Sequence, residues 1–565
     1  MKTKLFILSF ICLCLSTSLL AQKIADLSAE TELHQRGEVY FSFSIPAGAD
    51  TLVLMNDLGR FLSIDHKNDS QIFAYANRIG FEKFLGYHFS YQVHTAPSML
   101  LPKEVLEHQN LKSSEQWDYY PSYGEYIKLM QNFQKDYPDL CELVSIGKTV
   151  QGRDLLFIHF KSAKDSLGDK PQFMYTATMH GDETTPYILM LHLIDYLSKN
   201  YGKLPRVTHI MDSLDIWINP LANPDGTYAG GDSSVYGATR YNANHIDLNR
   251  NYPDPKDGNH PDGNAWQLET IAFMNFASAH HFTLSCNMHT GSEVANYPWD
   301  TWPRLHADDK WWQQVCRQYA DTVHAHSPSG YFIDLNQGIT NGHQWYSIDG
   351  GRQDYMNYFQ HDREFTLEMS SVKMPDPSLL PTYWEDNYRS LIDYMEQGLY
   401  GIRGHVYDSI TGESLMAKIY VVAHDTDHSE VYSSLPSGIF FRPIAQGTYQ
   451  IQISAAGYLT KTIDSIGISQ NQSYFISTCL KPKAEGVETH AALSFKIYPN
   501  PASQFVNILF PASIGKWEVI NMMGQLMRSG KGTAARINIS KWPSGTYFIR
   551  AGNGRKMTVR AFQVR

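Results

Sequence analysis

The sequence predicts an α/β catalytic domain with a mixed sheet and flanking helices, preceded by a β-rich region and followed by two small all-β modules. Three observations predict it. Between residues 117 and 400, short apolar runs of strand length alternate with amphipathic stretches of helical period, the pattern of a layered sheet. Beyond Gly401 the helical period stops, and short strand-like runs take over, punctuated by Gly412, Gly438 and Gly457. Ahead of residue 101, the run Val39-Tyr40-Phe41-Ser42-Phe43-Ser44-Ile45 alternates as a strand would. A length of 565 residues exceeds one ordinary domain, and a 43% apolar share suffices for several cores.

Residues 1–22 carry Lys2 and Lys4, then an apolar run, then Ala21, and read as a signal peptide rather than a membrane anchor. No later stretch is apolar for long enough to span a bilayer, so no transmembrane segment is expected in the mature chain. Of six cysteines, Cys12 and Cys14 fall in the leader. Cys141, Cys286, Cys316 and Cys479 are scattered and match no zinc-knuckle spacing, which leaves a disulfide and free thiols both open. The formal charge is −10 without a basic tract, so nucleic acid is not an expected partner.

Residues 23–101 form the β-rich region, without a catalytic constellation, and are read as a packing or pro-domain. The polar residues 102–116 separate it from the catalytic domain, residues 117–400. There, residues 173–179 read as a strand, followed by a helix through Ile188, Leu191, Ile194 and Leu197. Further strands are read at 214–218, 283–288 and 365–367, with helices at about 266–281 and 383–400. Residues 402–482 and 493–565 are the two β modules, joined by a polar linker at 483–492.

The chemistry gathers at strand ends. His180 ends the first strand and Glu183 falls three residues on, read as the first turn of the next helix, where Pro186 is tolerated. That spacing lets an imidazole and a carboxylate converge on one ion, and catalytic zinc takes three such ligands and keeps a position for water. His289 ends the strand at 283–288 and offers a third ligand at the crevice where α/β sheets bind ligands. Glu368 ends the strand at 365–367; an acid there is costly unless paired or functional, which makes it the candidate general base. Arg240 and Arg250 lie in an amide-rich stretch with Asn249 and supply fixed cations for a carboxylate or an oxyanion.

Together these residues resemble the funnelin metallocarboxypeptidases, the family of carboxypeptidase A, over residues 117–400. The motifs are Asn223-Pro224-Asp225-Gly226, Asp247-Leu248-Asn249-Arg250-Asn251, His289-Thr290-Gly291 and Thr366-Leu367-Glu368. The resemblance implies that His180, Glu183 and His289 hold one zinc ion and that Arg240 polarises the scissile carbonyl. It further implies that Asn249 and Arg250 hold the substrate's terminal carboxylate, that Tyr346 closes over substrate, and that Glu368 is the base. Gly350-Gly351-Arg352-Gln353-Asp354 resembles a run of the regulatory carboxypeptidases N, E and D, and Asp300 stands where that subfamily carries its specificity acid. Asp300 and Gln353 are therefore expected to select a C-terminal Lys or Arg. Residues 402–482 resemble the transthyretin-like domain of the same subfamily. Two departures stand out: Asp182 places an extra anion beside the metal, and Arg352 puts a cation near the specificity pocket.

The last module, with Tyr498-Pro499-Asn500-Pro501 and Pro543-Ser544-Gly545-Thr546-Tyr547, resembles the C-terminal sorting domain of the Bacteroidetes type IX secretion system. That implies export through the periplasm and a secreted or cell-surface protein. The expected function is hydrolysis of the C-terminal peptide bond of peptides or proteins, releasing Lys or Arg. Non-basic or cell-wall peptide specificity, and an inactive peptide-binding homologue, are the alternatives. Residues 254–263 mimic a calcium loop but fail the EF-hand spacing, and His324 and His326 point apart on a helix.

Overall fold

The computed structural model describes residues 28–565 except 46–47, 69, 107–116, 162–169, 484–494 and 554–555. The expected signal peptide, residues 1–22, and most of both polar connecting segments lie outside the described residues. The chain divides into two compact units, residues 1–482 and 483–565.

The N-terminal region comprises α1 (Ala29–Gln35), β1 (Glu38–Ser44), α2 (Thr51–Leu58), β2 (Ser63–Lys67), β3 (Gln71–Asn77), α3 (Arg78–Leu85) and β4 (Tyr91–His94). Its strands pair antiparallel in the order β2-β3-β1-β4. Strand alternation splits the apolar residues of β1 between two faces. Val39, Phe41 and Phe43 join Leu33, Phe81 and Phe84 in a core beneath the helices. Tyr40 faces the other way, with Tyr75, against Tyr241 of the following domain. The strand is thus covered on both sides, with Val39, Phe41 and Phe43 on one face and Glu38, Tyr40 and Ser42 buried on the other.

The following domain opens with α4 (Tyr123–Asp136), β5 (Cys141–Lys148), β6 (Asp154–Phe160), β7 (Gln172–Ala177), α5 (Thr185–Asn200) and β8 (Asp215–Asn219). It continues with α6 (Leu268–Ser278), β9 (Phe282–His289), β10 (Ser292–Tyr297), α7 (Asp309–His326), β11 (Ile339–Asn341), α8 (Arg352–Phe359), β12 (Arg363–Ser370) and α9 (Leu380–Gln397). A capping box starts α4: Ser122 Oγ accepts from the Glu125 N–H and the Glu125 carboxylate accepts from the Ser122 N–H. Eight strands form one sheet in the order β11-β10-β12-β9-β7-β8-β6-β5, mixed as expected. Its centre, β12-β9-β7-β8, is parallel. Parallel strands must be covered on both faces, so they read as continuous apolar runs. One face packs on α4, α5, α7 and α9 through residues such as Met130, Ile188, Val315 and Leu391. The other packs on α6 and α8 through Met174, Phe273, Phe276 and Met356.

Residues 401–480 fold as two sheets around an isoleucine-rich core, with β13 (Gly401–Asp408), β14 (Lys418–Val421), β15 (Val431–Tyr432), β16 (Ile439–Arg442), β17 (Gly447–Ser454), β18 (Lys461–Ile468) and β19 (Ser473–Leu480). Arg442 of β16 anchors this module to the catalytic domain: its Nη1 lies 2.9 Å from Asp308, which also pairs with Arg363 at 2.8 Å, all three fully buried. The second unit is all β, with β20 (Lys496–Tyr498), β21 (Phe505–Asn521), β22 (Leu526–Asn538), β23 (Gly545–Asn553) and β24 (Lys556–Val564) around a core that includes Val506, Trp517, Ile549 and Phe562. Among the described residues, no helix is long and apolar enough to cross a membrane.

Candidate metal centre and its cavity

β7, β9 and β12 run parallel, so their C-terminal ends open on one crevice. Past the end of β7, Thr178 takes φ +60°, rare for a β-branched residue and a mark of a constrained corner. The turn beyond it holds His180 and Glu183. It is closed by the Glu183 N–H on the His180 carbonyl at 3.2 Å and by the Thr184 N–H on the Lys373 carbonyl at 3.0 Å. Glu183 therefore lies ahead of α5, which begins at Thr185, and not in its first helical turn as expected. Gly181 is demanded by crowding: a Cβ there would stand 2.3 Å from the Thr227 nitrogen, in the turn formed by Asn223-Pro224-Asp225-Gly226.

The turn and the end of β9 bring three ligand groups together. His180 Nδ1 lies 3.0 Å from Glu183 Oε1. His289 Nδ1 lies 2.9 Å from Glu183 Oε2 and 3.0 Å from His180 Nδ1. One donor atom from each of the three falls within 4.8 Å of the others, and all three residues are buried. Their outer nitrogens are engaged elsewhere: His180 Nε2 on Asp247 at 3.1 Å, His289 Nε2 on the Asn287 side-chain amide at 2.7 Å. A ring whose Nε2–H is held by a carboxylate turns an unprotonated Nδ1 inward. The three groups stand close enough together to surround one cation. Two imidazoles and one carboxylate are also the donor set that zinc takes at catalytic sites, so these residues fit the expected ion.

The surrounding charges agree. Burial would raise the Glu183 carboxyl, but His180, Lys373 and His289 outweigh it and hold it well below the ordinary range. Burial pushes His289 down to about 4, so it stays neutral and able to ligate. Lys373 Nζ lies 2.7 Å from Glu183 Oε1, and Arg240 Nη1 3.1 Å from the same oxygen. Arg240 Nε is 3.1 Å from Asp247, so Asp247 orients both His180 and Arg240.

Glu368 lines the same cavity. Burial, then the neighbouring Glu183, pushes its carboxyl well above the ordinary range. Its Oε2 is buried with no hydrogen-bond partner among the described residues. Arg250 also lines the cavity, and its Nη1 donates to the Asn249 carbonyl at 2.9 Å. Its Nε and Nη2 are buried without a hydrogen-bond partner among the described residues. Asn249 is steadied by the Arg352 N–H on its Oδ1 at 2.9 Å.

Asp300 lies at the cavity wall, 2% exposed, and burial pushes its carboxyl up to about 7. Its Oδ1 accepts from Gln353 Nε2 at 3.0 Å and from Asn296 Nδ2 at 3.2 Å. Gln353 Oε1 in turn accepts from the Thr366 N–H at 2.7 Å, so β12 holds both the amide and Glu368. Gly342 is required here, because a Cβ would stand 1.7 Å from Asp300 Oδ1. Tyr346 also reaches the cavity, its hydroxyl donating to the Ile64 carbonyl at 3.4 Å.

Of the two departures from the family pattern, Arg352 does not act as the sequence suggests, while Asp182 does lie beside the cluster. Arg352 turns away from the Asp300 pocket: it pairs with Glu364 at 3.0 Å and with Thr176 Oγ1 at 2.5 Å, beneath the sheet. Asp182 is buried; burial and the neighbouring Glu183 raise its carboxyl, against the attraction of Lys373 and Arg240. Asp254 shares a cluster with Asp257 and Asp349, but its Oδ1 accepts from the Lys256 and Asp257 amides and the Thr301 hydroxyl, the pattern of a braced loop. The four cysteines outside the leader are free thiols. In the sequence no local pattern distinguishes Lys373, and Asp247 stands out only as part of the run Asp247-Leu248-Asn249-Arg250-Asn251.

Residues 126–390 match the family described as zinc carboxypeptidase, and residues 496–565 match the secretion system C-terminal sorting domain. Carboxypeptidase D of Mus musculus is 37% identical over 357 residues, 59% of this chain and 25% of that protein. The chain thus spans about a quarter of the length of that relative. The carboxypeptidase N catalytic chain of Rattus norvegicus is 32% identical over 384 residues, 60% of this chain and 81% of that protein. Carboxypeptidase M of Mus musculus is 36% identical over 353 residues, 59% of this chain and 78% of that protein. A likeness of that extent, on a buried His-Glu-His cluster at the mouth of a mixed sheet, means that this chain belongs to the zinc carboxypeptidase family.

Proposed function

We propose that the chain is an exported carboxypeptidase that hydrolyses the last peptide bond of peptides or proteins and releases Lys or Arg. The observation that carries this reading is the unpartnered, buried edge of Arg250 in one cavity with the His180–Glu183–His289 cluster, Glu368 and Asp300. A buried guanidinium edge without a partner costs free energy unless a ligand fills it, and a carboxylate fits it with two parallel hydrogen bonds.

Arg250 and Asn249 then bind the terminal carboxylate, and Asp300, braced by Gln353, pairs with the cationic side chain of the last residue. With both ends of that residue anchored, only the terminal peptide bond reaches Glu368, so one residue leaves per turnover. His180, Glu183 and His289 would hold zinc, which would supply Lewis acidity for hydrolysis near neutral pH. Glu368 takes the proton from the attacking water and returns it to the departing amine nitrogen as the C–N bond breaks. Arg240, held in plane by Glu183 and Asp247, donates to the carbonyl oxygen as negative charge develops on it. Tyr346 covers the bound residue and excludes bulk water.

The sorting module supports export by the type IX secretion machinery of a Bacteroidetes-type bacterium, to the medium or the cell surface. Blocked dipeptides differing only in the last residue test the reading. Lys and Arg should be released fastest; a preference for Phe or Glu would remove Asp300 from the specificity pocket.

A further inference from the structure

The face of β9 that carries His289 also carries polar groups that the proposed reaction does not use. Strand alternation puts Ser285, Asn287 and His289 on one face, and every residue of β9 is buried. Buried polar groups need hydrogen-bond partners. In register beside this column stand Thr176 of β7, opposite Asn287, and Glu364 of β12, opposite Ser285. Arg352 reaches in from α8 and ties the column together. Its Nη1 donates to Thr176 Oγ1 at 2.5 Å and its Nη2 to Glu364 Oε2 at 3.0 Å. Ser285 Oγ donates to the same Glu364 oxygen at 2.7 Å, and the Phe273 ring lies 5.3 Å from the guanidinium. Arg352, Thr176, Asn287 and Glu364 are each no more than 1% exposed.

The column ends on the metal centre. One end of the Asn287 carboxamide lies 2.7 Å from His289 Nε2, and the other end 3.2 Å from Thr176 Oγ1. The two ligating rings are therefore held differently. His180 rests on the charged Asp247, itself paired with Arg240. His289 rests on a neutral amide whose terminal torsion is soft and which can present either end to the ring. Such an amide aims at the ring only as firmly as its far end is held. Thr176 Oγ1 is the contact at that far end, and Arg352, locked by Glu364, fixes it.

We propose that Arg352 is a positioning residue for the metal centre, acting on His289 through Thr176 and Asn287, and that it thereby strengthens zinc binding. Adjacent residues of α8 then brace two parts of the cavity, Arg352 the metal centre and Gln353 the Asp300 wall. Because this rests on the zinc ligands of the carboxypeptidase reading, the test reads zinc and not hydrolysis alone. Arg352→Met keeps an unbranched chain without the charge, and Thr176→Val removes the hydroxyl at nearly the same volume. Zinc dissociation constants of the full-length parent, both single variants and the double variant are measured by competition with a chelator, beside hydrolysis of a blocked dipeptide ending in Lys. Each single substitution should weaken zinc binding about tenfold by loosening one ligand. The double variant should bind within about twofold of the weaker single variant, because both substitutions cut the same chain of contacts. Affinity within about threefold of the parent in Arg352→Met, or losses that multiply in the double variant, overturn the proposal. Should Arg352→Met fail to fold with Glu364 left buried and unpaired, Arg352→Met joined to Glu364→Gln removes both charges and takes its place in the comparison. Coupled losses of zinc affinity with no hydrolysis by the parent uphold the positioning role and sink the carboxypeptidase reading; hydrolysis by the parent with multiplying losses does the reverse.

Discussion

Glu368 stands directly opposite His289 in the parallel pairing of β12 on β9. A metal ligand and an acid therefore share one register, and a slip of one residue would turn one of them to the other face of the sheet. The placement of Glu368 depends on a ladder of apolar residues, Phe365 and Leu367 opposite Cys286 and Met288, rather than on any contact of its own.

Glu368→Gln tests that placement. The substitution keeps shape and burial but cannot accept a proton, so zinc content should stay at one per chain while kcat falls by about 10²–10⁴ or more. Metal analysis with steady-state kinetics checks it, and activity within a few-fold of the parent would take Glu368 out of the mechanism.

Asp247 holds the outer nitrogen of His180 and the guanidinium of Arg240 at 3.1 Å each. Asp247→Asn keeps the size but removes the charge. Zinc affinity should drop about 10–100-fold, as it does when the partner of a ligating histidine is lost. Competition with a chelator of known affinity reads the change directly, and an unchanged affinity would show that Asp247 merely packs.

How far these roles could be read from the sequence depends on range. His180, His289 and Glu368 sit at the ends of apolar runs, so strand period points them at one crevice, and Glu183 follows from its spacing to His180. The helices α1, α2 and α3 have no clear signature because each has only seven or eight residues, too short for a helical period to stand out. Pro186 suits a first helical turn, but the hydrogen bond from the Thr184 N–H to the Lys373 carbonyl, far along the chain, keeps Glu183 in a separate turn ahead of α5. The doubt over Arg352 arose from proximity in sequence. One helical residue's rotation separates it from Gln353, sending Arg352 to Glu364 and Gln353 to Asp300. That Asp65 and Ser63 reach the site, on Lys373 and Asp247, has no signature in their own segment.

Gly342→Ala offers a test of specificity that removes no polar group. The added methyl would stand 1.7 Å from Asp300 Oδ1, so the carboxylate or the loop must shift. Release of Lys and Arg should fall about tenfold or more relative to release of Phe, while zinc content stays unchanged. A uniform loss over all last residues would mean that the methyl disturbs the centre itself.

The pH dependence of binding follows from Asp300. Burial holds its carboxyl at about 7 instead of its ordinary value of 3.8. The folded chain therefore binds this proton more tightly than the unfolded chain. The contribution of Asp300 to folding stability is lost as pH rises from about 4 to about 7. Substrate works in the opposite sense, because a cationic side chain needs the ionised carboxylate, and binding it below pH 7 must expel a proton. KM for a dipeptide ending in Lys should therefore rise as pH falls below about 7, approaching tenfold per pH unit, while KM for one ending in Phe stays nearly level. Asp300→Asn should flatten the Lys profile and lose the preference for Lys at every pH. Parallel profiles for the two substrates in the parent protein would place the titrating group elsewhere.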